Sequence, residues 1–167
     1  LIYHSGGFDQ VDAGEGNDTI RANTNNDTGS NVLNGGAGDD LIELAQGGNV
    51  VDGGAGADFI DLEYYSYGNT NGSGTITTGT ESDTVRLSLR ALLDRGTSPL
   101  AAPVITDFTA GVGGDRLDLT AVLGRLSQLG YDYSNPFTNG WLRLQASGAD
   151  TLLQVDTTGP GNGGQWG

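Results

Sequence analysis

The residues of this chain that could do chemistry are carboxylates, and they recur at a fixed interval. Residues 35–43 read GGAGDDLIE and residues 53–61 read GGAGADFID. Both follow one nine-residue pattern: Gly, Gly, any, Gly, any, Asp, any, large apolar, any. Asp40 and Asp58 hold its sixth position, Ile42 and Ile60 its eighth. The intervening LAQGGNVVD keeps the length, with Asn49 and Val51 at those places. Glycines reach backbone torsions closed to other residues and let carbonyl oxygens converge. A carboxylate beside converging carbonyls suits a hard cation.

Enzymatic chemistry has little to work with. The single histidine, His4, falls in the first turn of the first repeat unit, at an exposed end. A Ser–His–Asp triad would need it, and its neighbours Tyr3 and Ser5 form no nucleophile elbow. No HExxH motif occurs, and there is no Cys for thiol or disulfide chemistry. Carboxylate pairs are plentiful, but the repeat explains their spacing, and nothing marks one out as a general acid. The chain is expected not to be an enzyme and to hold no catalytic residue.

The elements that must position the carboxylates follow from the register. Residues 4–12 place Asp9 at position six and Val11 at eight; residues 13–21 place Asp18 and Ile20 there. Ala22 to Asn25 fall out of register as an insertion. Units 26–34, 35–43, 44–52 and 53–61 then run on without a slip. Leu62 to Gly68 form a second insertion, followed by weaker units 69–77 and 78–86. Alternate units carry Asp at position six: Asp18, Asp40, Asp58 and Asp83. The others carry Asp9, Asn31, Asn49 and Gly74. Positions seven to nine read as a short strand whose eighth residue points inward. Val11, Ile20, Leu33, Ile42, Val51, Ile60, Ile76 and Val85 are therefore the expected core, a thin one. Position nine is polar throughout. Position seven carries Val32, Leu41, Val50 and Phe59, either isolated surface residues or residues covered by a neighbouring segment.

Composition agrees with a cation-loving chain. Of 167 residues, 30 are Gly, and 21 acids face 7 bases, all Arg, for a net charge of −14. Such a surface repels nucleic acid and anionic lipid, so no nucleic-acid partner and no membrane insertion are expected. High charge with few apolar residues also marks a chain that does not fold unaided. There is no Met, even at position 1, which suggests a piece of a longer protein.

Two full matches of the pattern, 18 residues apart in register, resemble the repeat of RTX (repeats-in-toxin) proteins. The resemblance implies an all-β fold, a calcium-binding parallel β-roll, with Ca2+ as the cofactor. Each turn would give carbonyls and an Asp carboxylate, and the next turn on the same edge would complete the six to eight oxygens that calcium takes. The implied metal residues are Asp18, Asp40, Asp58 and Asp83, the turn glycines Gly14, Gly16, Gly35, Gly36, Gly38, Gly53, Gly54 and Gly56, and Asp9. With two units per coil, alternate units stack on one edge. One edge should then be a calcium column, the other calcium-poor and held by Asn and backbone bonds.

Residues 104–124, VITDFTAGVGGDRLDLTAVLG, resemble the segment that follows the repeats in type I-secreted RTX proteins. The matching positions are Ile105, Asp107, Phe108, Gly114, Asp115, Leu117, Asp118 and Leu119. Asp115 joins the metal candidates, with Asp107 and Asp118 beside it; ordinary turn and capping carboxylates are the alternative. Thr120 can cap a short helix ending at Gly130, and residues 141–155 read as a hairpin. Residues 140–161 are similar to the C-terminal target module of RTX adhesins. The expected domains are a roll over 1–86, a connector over 87–103 with a helical turn at Ala91–Arg95, and a small β-rich capping and secretion-target module with one short helix over 104–167. The Tyr64–Tyr67 cluster is expected to pack on the adjacent sheet.

The resemblance implies a calcium-dependent folding module at the secretion end of an extracellular or cell-surface bacterial protein, adhesin-like. It would leave unfolded through a type I secretion apparatus, with any cell-surface or carbohydrate ligand bound by other domains. Two rivals are a ligand-binding or self-assembly module of a surface layer or filament, and the accessory roll of a secreted hydrolase, lipase or epimerase.

Overall fold

A computed structural model of the chain describes residues 1–4, 7–22, 30–44, 48–62, 74–87, 103–162 and 166. Eleven short strands follow one another through its first part: β1 (Ile2–His4), β2 (Gln10–Asp12), β3 (Thr19–Ala22), β4 (Val32–Ala37), β5 (Leu41–Leu44), β6 (Val50–Ala55), β7 (Phe59–Asp61), β8 (Thr75–Thr80), β9 (Thr84–Arg86), β10 (Val104–Ile105) and β11 (Arg116–Asp118). The odd-numbered strands form one six-stranded sheet and the even-numbered strands a five-stranded one. All pairings within them are parallel. The chain thus crosses from one sheet to the other at every turn, two strands per coil: the expected parallel β-roll.

The register aligns the eighth positions. Ile20 pairs with Ile42, Ile42 with Ile60 and Ile60 with Val85 on one sheet. Val11, Leu33, Val51 and Ile76 align on the other. Seven of the eight expected core residues are buried, and Val11 is half-buried. Each buried Ile or Leu contributes about 1.5–3 kcal/mol.

The core is wider than the eighth positions alone. Ala22, Leu44 and Leu87 are also buried, and Leu62 is half-buried. Each lies two residues beyond an inward eighth residue, so the period of two brings it to the same face. Ala22 and Leu62 were expected to open insertions; they extend the core instead. At the same place after the even strands stand Gly35, Gly53 and Thr78, so the added apolar column runs along one edge of the roll.

Outward, the two sheets differ. On the odd sheet Arg21 pairs with Glu43, and Arg86 bridges Asp61 and Asp118 at 3.1 Å each. The Arg86 guanidinium also covers the Phe59 ring, 4.8 Å from its centroid. On the even sheet Val32 and Val50 stay exposed. At the seventh position Leu41 and Phe59 of the odd sheet are half-buried, while Val32 and Val50 are exposed and pair with each other.

His4, expected in a turn, closes β1 in register with Ala22. Residues Val104–Leu119, assigned from the sequence to the C-terminal module, contribute β10 and β11, the last strand of each sheet. The chain divides by its contacts into Leu1–Leu119 and Thr120–Gly167. The second unit holds helix α1 (Thr120–Ser127) and an antiparallel hairpin of β12 (Leu142–Ser147) and β13 (Asp150–Val155). Its core gathers Val122, Leu126, Tyr131, Trp141, Leu142 and Val155. Tyr131 meets Trp141 edge-on at 5.9 Å. The helical turn expected at 91–95 and the cluster at 64–67 lie outside the described residues. Among the described residues no helix is long and apolar enough to cross a membrane.

Candidate metal centre

The links from β2 to β3, β4 to β5 and β6 to β7 carry the glycine-rich turn, and these turns stack with the β8–β9 link on one edge. The second glycine of each is fixed by that stacking. Gly36 and Gly54 have φ of 101° and 106°. A Cβ on either would run into the carbonyl of Gly14 or Gly36 in the preceding coil. Only glycine meets both demands.

The sixth-position carboxylates form a ladder along this edge. Asp40 Oδ1 accepts the N–H of Asp18 at 2.7 Å, and Asp58 Oδ1 that of Asp40 at 2.8 Å. Asp83 Oδ1 accepts from Asp58 at 2.8 Å, and Asp115 Oδ1 from Asp83 at 3.1 Å. A second ladder runs the opposite way at position five. Asn17 Oδ1 accepts from Asp39 N–H, and Asp39 Oδ1 from Ala57 N–H. It escaped the sequence reading, although polar residues at 17 and 39 mark it.

The first ladder uses one oxygen of each Asp. The other oxygen of Asp40, Asp58 and Asp83 is buried and has no hydrogen-bond partner. Burial pushes the Asp58 and Asp83 carboxyls up to about 6, against the lowering effect of the ladder N–H, and neighbouring carboxylates add to the rise. Asp40 is raised for the same first reason. A buried, unpartnered carboxylate oxygen is costly unless a cation meets it.

The space beside these oxygens is bounded by backbone carbonyls. A Cβ added at Gly35 would collide with Asp40 Oδ2 and stand 2.5 Å from the Gly53 carbonyl. One at Gly53 would stand 2.6 Å from Asp58 Oδ2 and collide with the Thr78 carbonyl. Among the described residues no three His, Asp or Glu side chains converge as a metal cluster. The donors gathered there are one carboxylate oxygen per turn beside a backbone carbonyl of the next. Hard oxygens of this kind fit Ca2+. The turns Gly35–Asp40 and Gly53–Asp58, with Asp83, would hold it. Bound calcium supplies the positive charge that the buried oxygens lack and ties successive coils together.

The remaining candidates fall in different places. Asp18 and the glycines Gly14 and Gly16 form the first turn of the column, where Asp18 is half-exposed. Gly16 N–H donates to the Ala37 carbonyl, and Gly38 N–H to that of Ala55 at 2.7 Å. Asp115 ends the column, but its Oδ2 is taken by the Thr109 N–H at 2.7 Å. Asp9 is exposed and sits on the opposite edge, where its N–H donates to Asn31 Oδ1 at 3.0 Å. Asn31 N–H donates in turn to Asn49 Oδ1 at 3.0 Å. Both Asn residues are buried. The second edge is thus a neutral copy of the first.

A family model of the RTX calcium-binding nonapeptide repeat, in four copies, matches residues 5–28 and 27–60. Over residues 5–60 these turns are RTX calcium-binding nonapeptide repeats, and the ion they take is Ca2+. No curated protein and no solved structure matches the chain.

Proposed function

We propose that this chain is the calcium-triggered folding module at the secretion end of a larger, adhesin-like extracellular protein, exported unfolded through a type I apparatus. The observation that carries the reading is the row of buried, unpartnered oxygens on Asp40, Asp58 and Asp83. A roll with these groups ionised opposes its own folding where calcium is scarce. Outside the cell, calcium at millimolar level reverses that balance. The net charge of −14 adds repulsion that a divalent cation relieves. The module works by folding, and no residue in it is assigned a catalytic role.

A calcium titration followed by circular dichroism tests the first half. The chain should be largely unfolded in excess chelator and gain parallel β-structure with a midpoint of about 0.1–1 mM, the range of extracellular calcium modules. An equally folded chain in chelator would refute it. The export half is tested by substitution. A triple Asp40→Asn, Asp58→Asn, Asp83→Asn variant that folds without calcium should be exported poorly by a type I apparatus. Export at the parental rate would count against passage in the unfolded state.

A further inference from the structure

The last coil of the roll is held differently from the others. Its turn, residues 78–83, reads TGTESD, with Thr78 and Glu81 where the two preceding turns carry Gly. Thr78 is fully buried. Its N–H and hydroxyl both reach Asp107 Oδ1, at 2.8 and 3.0 Å, and the Gly79 N–H donates to Asp107 Oδ2 at 2.9 Å. Asp115 is engaged on both oxygens: Oδ1 takes the Asp83 N–H and Oδ2 the Thr109 N–H. The Ser82 hydroxyl donates to the Gly114 carbonyl at 2.8 Å.

The contrast with the metal column is direct. Asp40, Asp58 and Asp83 each keep one buried oxygen bare. Asp107 and Asp115 keep none: every carboxylate oxygen has an N–H donor from this chain. N–H groups at these distances stabilise a carboxylate as a cation would, by charge-assisted hydrogen bonds. Burial alone would raise the Asp107 pKa, yet the donors from Thr78 and Gly79 bring it below its ordinary 3.8.

We propose that Thr78, Asp107, Thr109 and Asp115 form a calcium-independent clasp that closes the last coil before any metal binds. The clasp joins β8 and β9 to β10 and β11, and it presents a finished turn at the C-terminal end of the column. The turn Gly53–Asp58 can stack on it, with the Asp58 N–H donating to Asp83 Oδ1. The proposal rests on the calcium reading of the Asp column and is independent of export.

The test is hydrogen exchange on the full chain, read residue by residue in excess chelator. The amides of Thr78, Gly79, Asp83 and Thr109 should exchange at least about tenfold more slowly than those of Asp18 and Asp40. Asp107→Ala should abolish that protection. Native mass spectrometry of the calcium-loaded Asp107→Asn variant, which keeps one acceptor oxygen and the shape, should show the same number of calcium ions as the parent. If the clasp amides exchange as fast as the Asp18 and Asp40 amides, the clasp does not form without metal. If Asp107→Asn loses one calcium ion, Asp107 is a ligand and the proposal falls. A chain unfolded in chelator throughout would leave the calcium column standing and remove the clasp alone.

Discussion

Asp58→Asn should act in opposite directions with and without calcium. The parent carboxyl is 2 % exposed, and its pKa rises from 3.8 to about 6, first through burial. At about 1.4 kcal/mol per pKa unit, keeping it ionised in the metal-free roll costs about 3 kcal/mol. Asn removes the charge and keeps an oxygen for the Asp40 N–H, now 2.8 Å away. It leaves an amide NH2 where Oδ2 was, which costs about 1–3 kcal/mol if nothing accepts from it. The net effect in chelator at pH 7 is a gain of about 1 kcal/mol. Asn31 and Asn49 already hold buried positions of the same kind on the other edge. The sign of the pH dependence follows. A carboxyl with a raised folded pKa favours folding fully below about 3.8, and the benefit is lost as pH rises through about 6. The metal-free parent should therefore fold more readily at pH 4–5 than at pH 7. The variant should respond less, having lost one of three raised carboxyls, and keep a residual response from Asp40 and Asp83. The assay is folding driven by trimethylamine N-oxide in chelator, followed by circular dichroism. Asp58→Asn should need less osmolyte than the parent at pH 7, yet more calcium to fold when osmolyte is absent. A variant that needs more osmolyte and no more calcium would refute the reasoning, because the bare oxygen would then be neither a penalty nor a ligand.

Three further outcomes follow from the same geometry. Gly53→Ala puts a methyl between Asp58 Oδ2 and the Thr78 carbonyl; the calcium midpoint should rise at least about tenfold by isothermal titration, with overpacking of about 1–3 kcal/mol in the loaded state. Leu44→Ala removes a buried side chain from the added core column and should cost about 2–5 kcal/mol in a urea melt with calcium saturating, leaving the number of bound ions unchanged. Asp40→Ala should raise the calcium midpoint far more than Asn31→Ala or Asn49→Ala, and equal effects from the two edges would show that the Asp ladder is no metal column.

The roll was legible because its period is. A large apolar residue at every eighth position has no other use than a stacked core, and Asp18, Asp40, Asp58 and Asp83 alternate with Asn31, Asn49 and Gly74 in step with two strands per coil. The wider core was less legible. Leu44 occupies the first position of its unit, where the full pattern has glycine, Leu87 follows the last unit, and Ala22 and Leu62 stand at the mouths of insertions. Only the strand period of two, carried past the unit boundary, reveals that all four face inward. The place of Asp9 was obscured by its residue type: it is an Asp in an Asn series. The end of the roll was hidden for a different reason. Residues 104–118 no longer keep the nine-residue spacing, and β10 and β11 belong to the sheets through hydrogen bonds to β8 and β9. That continuation depends on Asp107 and Asp115 reaching turns 28 to 37 residues away, a relation no local motif expresses.

The two edges divide the labour of folding. On the Asp edge the links between strands are short: three residues separate β4 from β5, β6 from β7 and β8 from β9. Each of these three turns brings a carboxylate under the N–H of the coil before it, while the link from β10 to β11, which ends at Asp115, is longer and runs over residues 106–115. On the Asn edge the spacing between successive coils changes from 22 residues to 18 and then 25. From β3 to β8 the insertions fall between an odd strand and the next even one. A neutral ladder tolerates this, since an Asn side chain makes its bond without charge to balance. The apolar column of Ala22, Leu44 and Leu87 runs along that same edge and supplies cohesion without metal. The Asp edge has Gly35, Gly53 and Thr78 at the equivalent positions and no such apolar column. The bare carboxylate oxygens that call for a cation thus lie on one edge of the roll, the one with the short links from β4 to β9. A single cation site, repeated, can then gate the folding of coils that differ in length and sequence everywhere else.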